Sequence, residues 1–384
     1  MSATVVETTT APQTQYEYFY QDGQFGAKRE VLTGEKAFKT FTEIPVVDLT
    51  PAFSDNLEDR KRLALEIGHI FETVGFMYVK NHGVDKAIVD EAYRVTREYF
   101  DLPVEKKMQN FNYKNVGLRG YEKLYSARLD ERYKKGGVMG LEKKEGYTFS
   151  YDEEWDIVPP NLTEAQRAMH FINQWPDDFF PEFKKGMMTY WSHMLQLGRR
   201  LMSLFALGLG VEENYFDHMI RAPLATIRTH RYHPQEPDSE DENGIGAHTD
   251  YETFTMLWQD SIGGLEILNK NAEWIAAPPI EGTFVVNVGD WLQRISNGQF
   301  VSTVHRVKKL TGDKPRYSMP FFFGLDFDAY CEVLPTCQSA ENPPTYEPLN
   351  IKQYTLKLRR QLDERVARRK AEIAAGIVPD FDSY

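Results

Sequence analysis

A mixed α/β fold, with its strands gathered into a jelly roll or barrel, is predicted by three observations. Short apolar or alternating runs follow one another from Phe254 to Phe323, with turn residues between them. Three segments ahead of them repeat their apolar residues at spacings of three and four, the period of a helix face. A charged, helix-forming stretch from Leu349 to Ala375 closes the chain.

Residues 1–43 read as a tail and an arm. The Thr-rich polar start suits a mobile terminus. Tyr16 to Thr42, rich in Tyr, Phe and Gly, suits an arm that lies on the body or reaches a partner subunit, so an oligomer could form through it. Residues 44–180 are expected to form an N-terminal region that is mostly helical. Ile44 to Leu49 is a short strand with Pro45 near an edge. From Asp55 to Val74, Leu63, Ala64, Ile67, Ile70 and Phe71 mark a helix face, and Gly75 closes the pattern. Phe76 to Val79 is a strand, and Lys86 to Phe100 a helix that ends before Pro103. The charged, Gly-containing stretch from Leu129 to Glu145 reads as a surface loop.

Residues 181–348 are expected to form the core. They begin with a long helix from Pro181 to Leu209, with proline in its first turn. Met187, Tyr190, Trp191, Met194, Leu197, Leu201, Leu204 and Phe205 give it one broad apolar face, which Gly186 and Gly198 interrupt. Gln235 to Asn243 carries five acids and reads as a solvated loop. Strands follow at 254–258, 264–268, 274–276, 283–288, 301–307 and 317–323. Residues 349–384 form a C-terminal helix and tail. Arg359, Arg360, Arg365, Arg368, Arg369 and Lys370 are interspersed with acids there, as on a helix that covers the body.

The chain has 384 residues, enough to bury a large core. Its net charge of -12 argues against a nucleic-acid partner, which demands a positive surface. Two cysteines, Cys331 and Cys337, point to a reducing, cytoplasmic setting rather than to a disulfide framework. No basic start leads into an apolar run, and no stretch of 18 apolar residues occurs, so neither a secretory signal nor a membrane span is expected.

The chemistry centres on Gly246-Ala247-His248-Thr249-Asp250 and on His305, 55 positions after the aspartate. Two imidazoles and a carboxylate form the ligand set of a non-haem Fe(II) site with open positions. On a strand, residues i and i+2 leave the same face, so His248 and Asp250 can both meet one ion. Arg316 and Ser318 repeat that spacing, and a guanidinium fork with a neighbouring hydroxyl suits a carboxylate.

The run from Gly246 to Gly324 resembles the Fe(II)/2-oxoglutarate-dependent dioxygenases, in the branch that includes isopenicillin N synthase. Gly75-Phe76-Met77-Tyr78-Val79-Lys80-Asn81-His82-Gly83 is similar to a segment common in that family's N-terminal region, although His82 reads as part of a structural turn. The resemblance implies a double-stranded β-helix (jelly-roll) core. It assigns Fe(II) to His248, Asp250 and His305, and the distal carboxylate of 2-oxoglutarate to Arg316 and Ser318. Tyr232 would sit beside the cosubstrate or substrate carboxylate, although His233 stands where the family usually has the proline of Tyr-Pro. Arg119, Tyr121 and Phe323 fall where the family has residues near the substrate; Phe323 would look the same as a core residue. Asn287 and Gly289-Asp290 also match, and read as a strand end and a turn.

The implied activity consumes O2 and 2-oxoglutarate, releases succinate and CO2, and oxidises a C–H bond of a small organic molecule, as in specialised metabolism. Hydroxylation, desaturation and ring closure or expansion share the same ligands. The alternatives are an oxidase like isopenicillin N synthase that dispenses with 2-oxoglutarate, fragmentation of 2-oxoglutarate itself, and a jelly-roll binding protein without turnover.

Overall fold

The computed structural model describes residues 14–21, 24–114, 117–124, 134–135, 138–139, 142–236 and 243–375. The expected tail and the acidic loop ahead of the His-x-Asp motif lie mostly outside them, as does much of the 129–145 loop.

The chain opens with a hairpin, β1 (Tyr16–Gln21) and β2 (Gln24–Glu30). After β3 (Val46–Asp48) comes α1 (Leu57–Thr73), whose first turn is capped by Asn56 accepting from the Glu58 amide. β4 (Phe76–Lys80) and α2 (Lys86–Phe100) follow, the latter capped in the same way by Asp85. Next are α3 (Val104–Lys107), β5 (Gly120–Glu122), the paired β6 (Lys134–Lys135) and β7 (Val138–Met139), β8 (Lys144–Phe149) and α4 (Glu164–Arg167). The long helix α5 (Pro181–Gly208) leads into β9 (Pro223–Tyr232), β10 (Asn243–His248), β11 (Phe254–Gln259), β12 (Leu265–Leu268), β13 (Trp274–Ala276) and β14 (Phe284–Val288). Then come α6 (Asp290–Ile295), β15 (His305–Lys308), β16 (Arg316–Asp326), β17 (Tyr330–Cys331), β18 (Leu349–Asn350) and α7 (Ile351–Ala374).

Two sheets form the jelly roll. The large one has the order β3-β4-β14-β11-β16-β9-β8-β5, and the small one β13-β12-β15-β10-β1-β2. One face of the large sheet is sealed by α5. Phe205 meets Phe254, Trp191 meets Phe321, and the Trp191 indole donates to the Ala225 carbonyl at 2.9 Å. The two glycines of α5 have a packing cause. A Cβ at Gly198 would collide with the Phe323 ring, and one at Gly186 would stand 3.0 Å from Val95 of α2. Both contacts bring a neighbour close to the helix backbone, which offsets the helix-propensity cost of glycine.

The jelly roll is not confined to 181–348, and the helices of 44–180 are interspersed with strands. β3, β4, β5 and β8 of the N-terminal region fill both flanks of the large sheet, and the arm adds β1 and β2 to the small one. The arm thus lies on the body of its own chain. The stretch 142–145, expected in a surface loop, is largely buried: Glu142, Lys144 and Glu145 are all buried, neutralised by Lys144–Glu142 and Lys107–Glu145 ion pairs. Their charge masked a strand. The turn expected at Gly289-Asp290 instead starts α6. No helix among the described residues is long and apolar enough to cross a membrane.

Candidate active site

The small sheet carries two of the three expected ligands side by side. His248 ends β10 and pairs across the ladder with His305, the first residue of β15. Asp250 follows two residues on. Its carboxylate Oδ1 lies 3.7 Å from Nε2 of His248 and 3.6 Å from Nε2 of His305. That spacing fits three atoms around one ion, and this is the cluster of metal-binding type found among the described residues.

The surroundings aim these atoms. Nδ1 of His248 lies 2.8 Å from the Gly246 carbonyl and Nδ1 of His305 lies 3.2 Å from that of Thr303. Each Nδ1–H therefore donates to a carbonyl and leaves the Nε2 lone pair for the ion. Asp250 Oδ2 accepts from the Thr255 hydroxyl at 2.5 Å and from Asn287 Nδ2 at 2.8 Å, which leaves Oδ1 for the metal. Burial opposes ionisation of Asp250, but the two imidazoles and these hydrogen bonds hold it below the usual carboxylate range. Burial, then the nearby His305, pushes His248 down and keeps it neutral. Neutral imidazoles with an ionised carboxylate are the binding-competent state.

A tight turn holds Asp250 in place. The Asp290 amide donates to the Asp250 carbonyl at 2.8 Å and the Gly289 amide to that of Thr253 at 2.9 Å. A Cβ at Gly289 would collide with the Glu252 carbonyl. Gly289→Ala is therefore expected to cost about 1–3 kcal/mol through displaced backbone and to weaken metal binding as well. Thermal melts with and without Fe(II) check this, and an unchanged melt in both would contradict the close packing.

Arg316 and Ser318 stand at the start of β16, on the face that looks into the jelly roll, and both are 1% exposed. Arg316 pairs in register with Tyr232 of β9, and its guanidinium lies 4.8 Å from the centre of that ring. Nη2 of Arg316 donates to Gln259 Oε1 at 3.2 Å, while Nε and Nη1 are buried without a hydrogen-bond partner among the described residues. A buried cation with unmatched donors is costly unless an anion completes it. The donor set fits the distal carboxylate of 2-oxoglutarate, with Ser318 beside it.

The other expected residues separate. Alternation along β16 sends Arg316 and Ser318 inward and Phe323 to the opposite face, where it stacks on Phe254 against α5. Phe323 is a core residue, and Phe322, partly exposed, takes the inward face. Tyr121 likewise points away, its hydroxyl donating to Glu145 Oε2 at 2.6 Å. Its neighbour Glu122 faces inward instead, in register with Gly146 and, beyond it, His230. Arg119 lies against Phe171, 5.8 Å from the ring centre, with its Nε buried and unpartnered among the described residues. Burial lowers its pKa to about 10, and Tyr251 and Glu252 are the groups that oppose the shift.

Several inward groups were not singled out from the sequence. Arg228 and Glu122 form an ion pair in which 35% of the arginine side-chain surface stays open, against 7% of the glutamate's. His230 is buried with Nδ1 unpartnered among the described residues, and burial holds it neutral. Arg228, His230 and Tyr232 share one face of β9 by simple alternation, the signal that could have found them.

The fold and this geometry define a non-haem iron oxygenase of the jelly-roll type, and the known proteins agree. Residues 225–325 match the 2OG-Fe(II) oxygenase superfamily, and residues 44–178 match the N-terminal region of a non-haem dioxygenase in morphine synthesis. The 2-oxoglutarate-Fe(II) type oxidoreductase ppzC of Metarhizium majus is 34% identical over 360 residues, spanning 90% of this chain and 94% of that protein. Homoarginine-6-hydroxylase 2-ODD-C23 of Glycine max is 33% identical over 320 residues, spanning 79% and 91%. Among solved structures, that of a full-length Neurospora crassa protein in complex with alpha-KG superposes with a TM-score of 0.69 at 29% identity, covering 82% of this chain and 95% of that one. The chain belongs to the 2-oxoglutarate–Fe(II) oxygenase superfamily, and is an iron- and 2-oxoglutarate-dependent oxidoreductase.

Proposed function

We propose that His248, Asp250 and His305 hold the iron, that Arg316 and Ser318 hold the distal carboxylate of 2-oxoglutarate, and that the substrate is a small polar molecule with an anionic group. Iron, O2 and 2-oxoglutarate together supply the oxidant that attacks a C–H bond, with succinate and CO2 released. The protein's own residues do the placing. The two imidazoles are locked by carbonyl acceptors, Asp250 is locked by Thr255 and Asn287, and Arg316 fixes the cosubstrate's far end so that its reactive end meets the metal. Tyr232 walls the guanidinium.

The observation that carries this reading is Arg316, buried with two nitrogens unpartnered. A carboxylate anchor explains them, and the 2-oxoglutarate enzymes among the relatives favour the keto acid as the carboxylate held there. The substrate class rests on the open face of Arg228 and on the unpartnered Nε of Arg119. Arg228 is a cation on the inward face of β9, and Arg119, packed against Phe171, is a second cation with a donor to spare.

Anaerobic addition of Fe(II) and then 2-oxoglutarate is expected to produce the visible charge-transfer band of a chelated keto acid. Iron uptake without that band would move the reading to an oxidase, and no iron uptake would sink both. With the band in hand, succinate release across a panel of small carboxylic acids is expected to rise for acids and not for their amides.

A further inference from the structure

The hairpin 16–30 lies outside both family segments, yet it is built onto the strand that carries the first metal ligand. β1 pairs in parallel with β10 through Tyr20 and His248, and the Thr249 amide donates to the Tyr20 carbonyl at 3.1 Å. The hairpin is also tied down from its far side. The Arg29 guanidinium donates to the carbonyls of Leu268 and Asn269 at 3.1 and 2.9 Å, and the Leu32 amide donates to that of Asn271 at 3.1 Å.

Strand alternation tells which way its side chains face. Phe19 is buried in a small cluster with Ala247, Leu268, Ala272 and Val304. Ala247 precedes His248 and so looks away from the triad, and Phe19 shares that outer face. Tyr20, the bridge partner of His248, therefore shares the inner face on which the triad converges. Tyr20 is only partly buried there.

The position of β10 fixes what the hairpin covers. The Tyr232 ring of β9 lies 3.3 Å from where a Cβ on Gly244 would stand, and the Gly246 amide donates to Glu142 Oε1, just ahead of β8, at 3.4 Å. On the other side of β10, His305 of β15 packs edge-on to Phe76 of β4, with ring centres 5.3 Å apart. The small sheet thus runs over the large one in matching order, and β1 extends it toward the β8–β5 edge. That edge carries Glu122, next to Arg228.

We infer that the N-terminal hairpin is a wall of the substrate cavity, and that Tyr20 is a specificity-determining residue that touches the substrate beside His248, opposite the Arg228–Glu122 pair. The aromatic ring there offers a flat apolar face to the part of the substrate nearest the metal. The inference rests on the triad being the metal site.

The first test needs no substrate. With 3-fluorotyrosine at position 20 and 2-oxoglutarate bound, the fluorine resonance is expected to broaden beyond detection in Mn(II)-loaded protein and to stay sharp with Zn(II). A line at position 20 that Mn(II) leaves sharp would overturn the inference, while absent Mn(II) binding in the electron paramagnetic resonance spectrum would instead sink the metal-site reading beneath it. The second test compares Tyr20→Ala and Tyr20→Phe across the panel of small acids. Tyr20→Ala is expected to change the kcat/KM ratio between bulky and compact acids by about tenfold or more, with Tyr20→Phe restoring most of it. An unchanged ratio would also overturn it.

Discussion

Arg316→Ala is expected to raise the 2-oxoglutarate concentration needed for half-saturation by at least about a hundredfold, while Fe(II) still binds. The guanidinium sits at 1% exposure with Gln259 as its one hydrogen-bond partner among the described residues, so most of its donor capacity is open to a ligand. Removing one member of a buried, hydrogen-bonded charge pair costs about 3–5 kcal/mol, which is two to three and a half powers of ten in affinity. None of that loss falls on the triad, because among the described residues Arg316 makes no hydrogen bond or ion pair with His248, Asp250 or His305. Arg316→Lys is expected to recover only part of it, since a point charge cannot reproduce a planar fork. The charge-transfer band, titrated with 2-oxoglutarate, measures the shift directly. A half-saturation within a few-fold of the unaltered protein's would show that the cosubstrate is anchored elsewhere.

How much of this was legible in the sequence follows from the range of each interaction. His248, Asp250, Arg316 and Ser318 were readable because strand alternation converts i, i+2 spacing into a shared face, and the sheets bring those faces together. The same rule, applied along β16, already excludes Phe323 and selects Phe322, so that misplacement was avoidable. Glu122 with Arg228 was not readable, since the pair joins residues 106 apart on strands that are not neighbours. Charge also misled: 142–145 looked solvated because neutralising partners such as Lys107 lie far along the chain. Gly198 and Gly186 looked like flaws in a helix until the ring and the helix that press on them were visible. The six-residue α6 was too short to show a period and was hidden behind a glycine that reads as a turn.

Around Asp250 the loss of function should be graded, and the grading separates ligation from support. Asp250→Ala removes the one anionic ligand from between two imidazoles and is expected to abolish Fe(II) binding at micromolar metal, and with it 2-oxoglutarate turnover, by at least about a thousandfold. Thr255→Val and Asn287→Ala each remove one donor to Oδ2 and leave Oδ1 in place. Loss of such a supporting hydrogen bond typically costs about 10–100-fold in metal affinity. Each single variant should therefore still bind iron at higher concentration and then show the charge-transfer band. The double variant frees Oδ2 of both its side-chain donors, so the carboxylate can rotate away from the imidazoles. Two donors to one oxygen share a single task, so their effects need not add. If both donors are needed to hold one rotamer, either single change costs nearly as much as the pair; if one suffices, the pair costs far more than the sum. Iron titrations of the four proteins decide between these. A double variant that binds iron as tightly as the unaltered protein would mean that the backbone turn at Gly289-Asp290, rather than the side-chain donors, holds Asp250 in register.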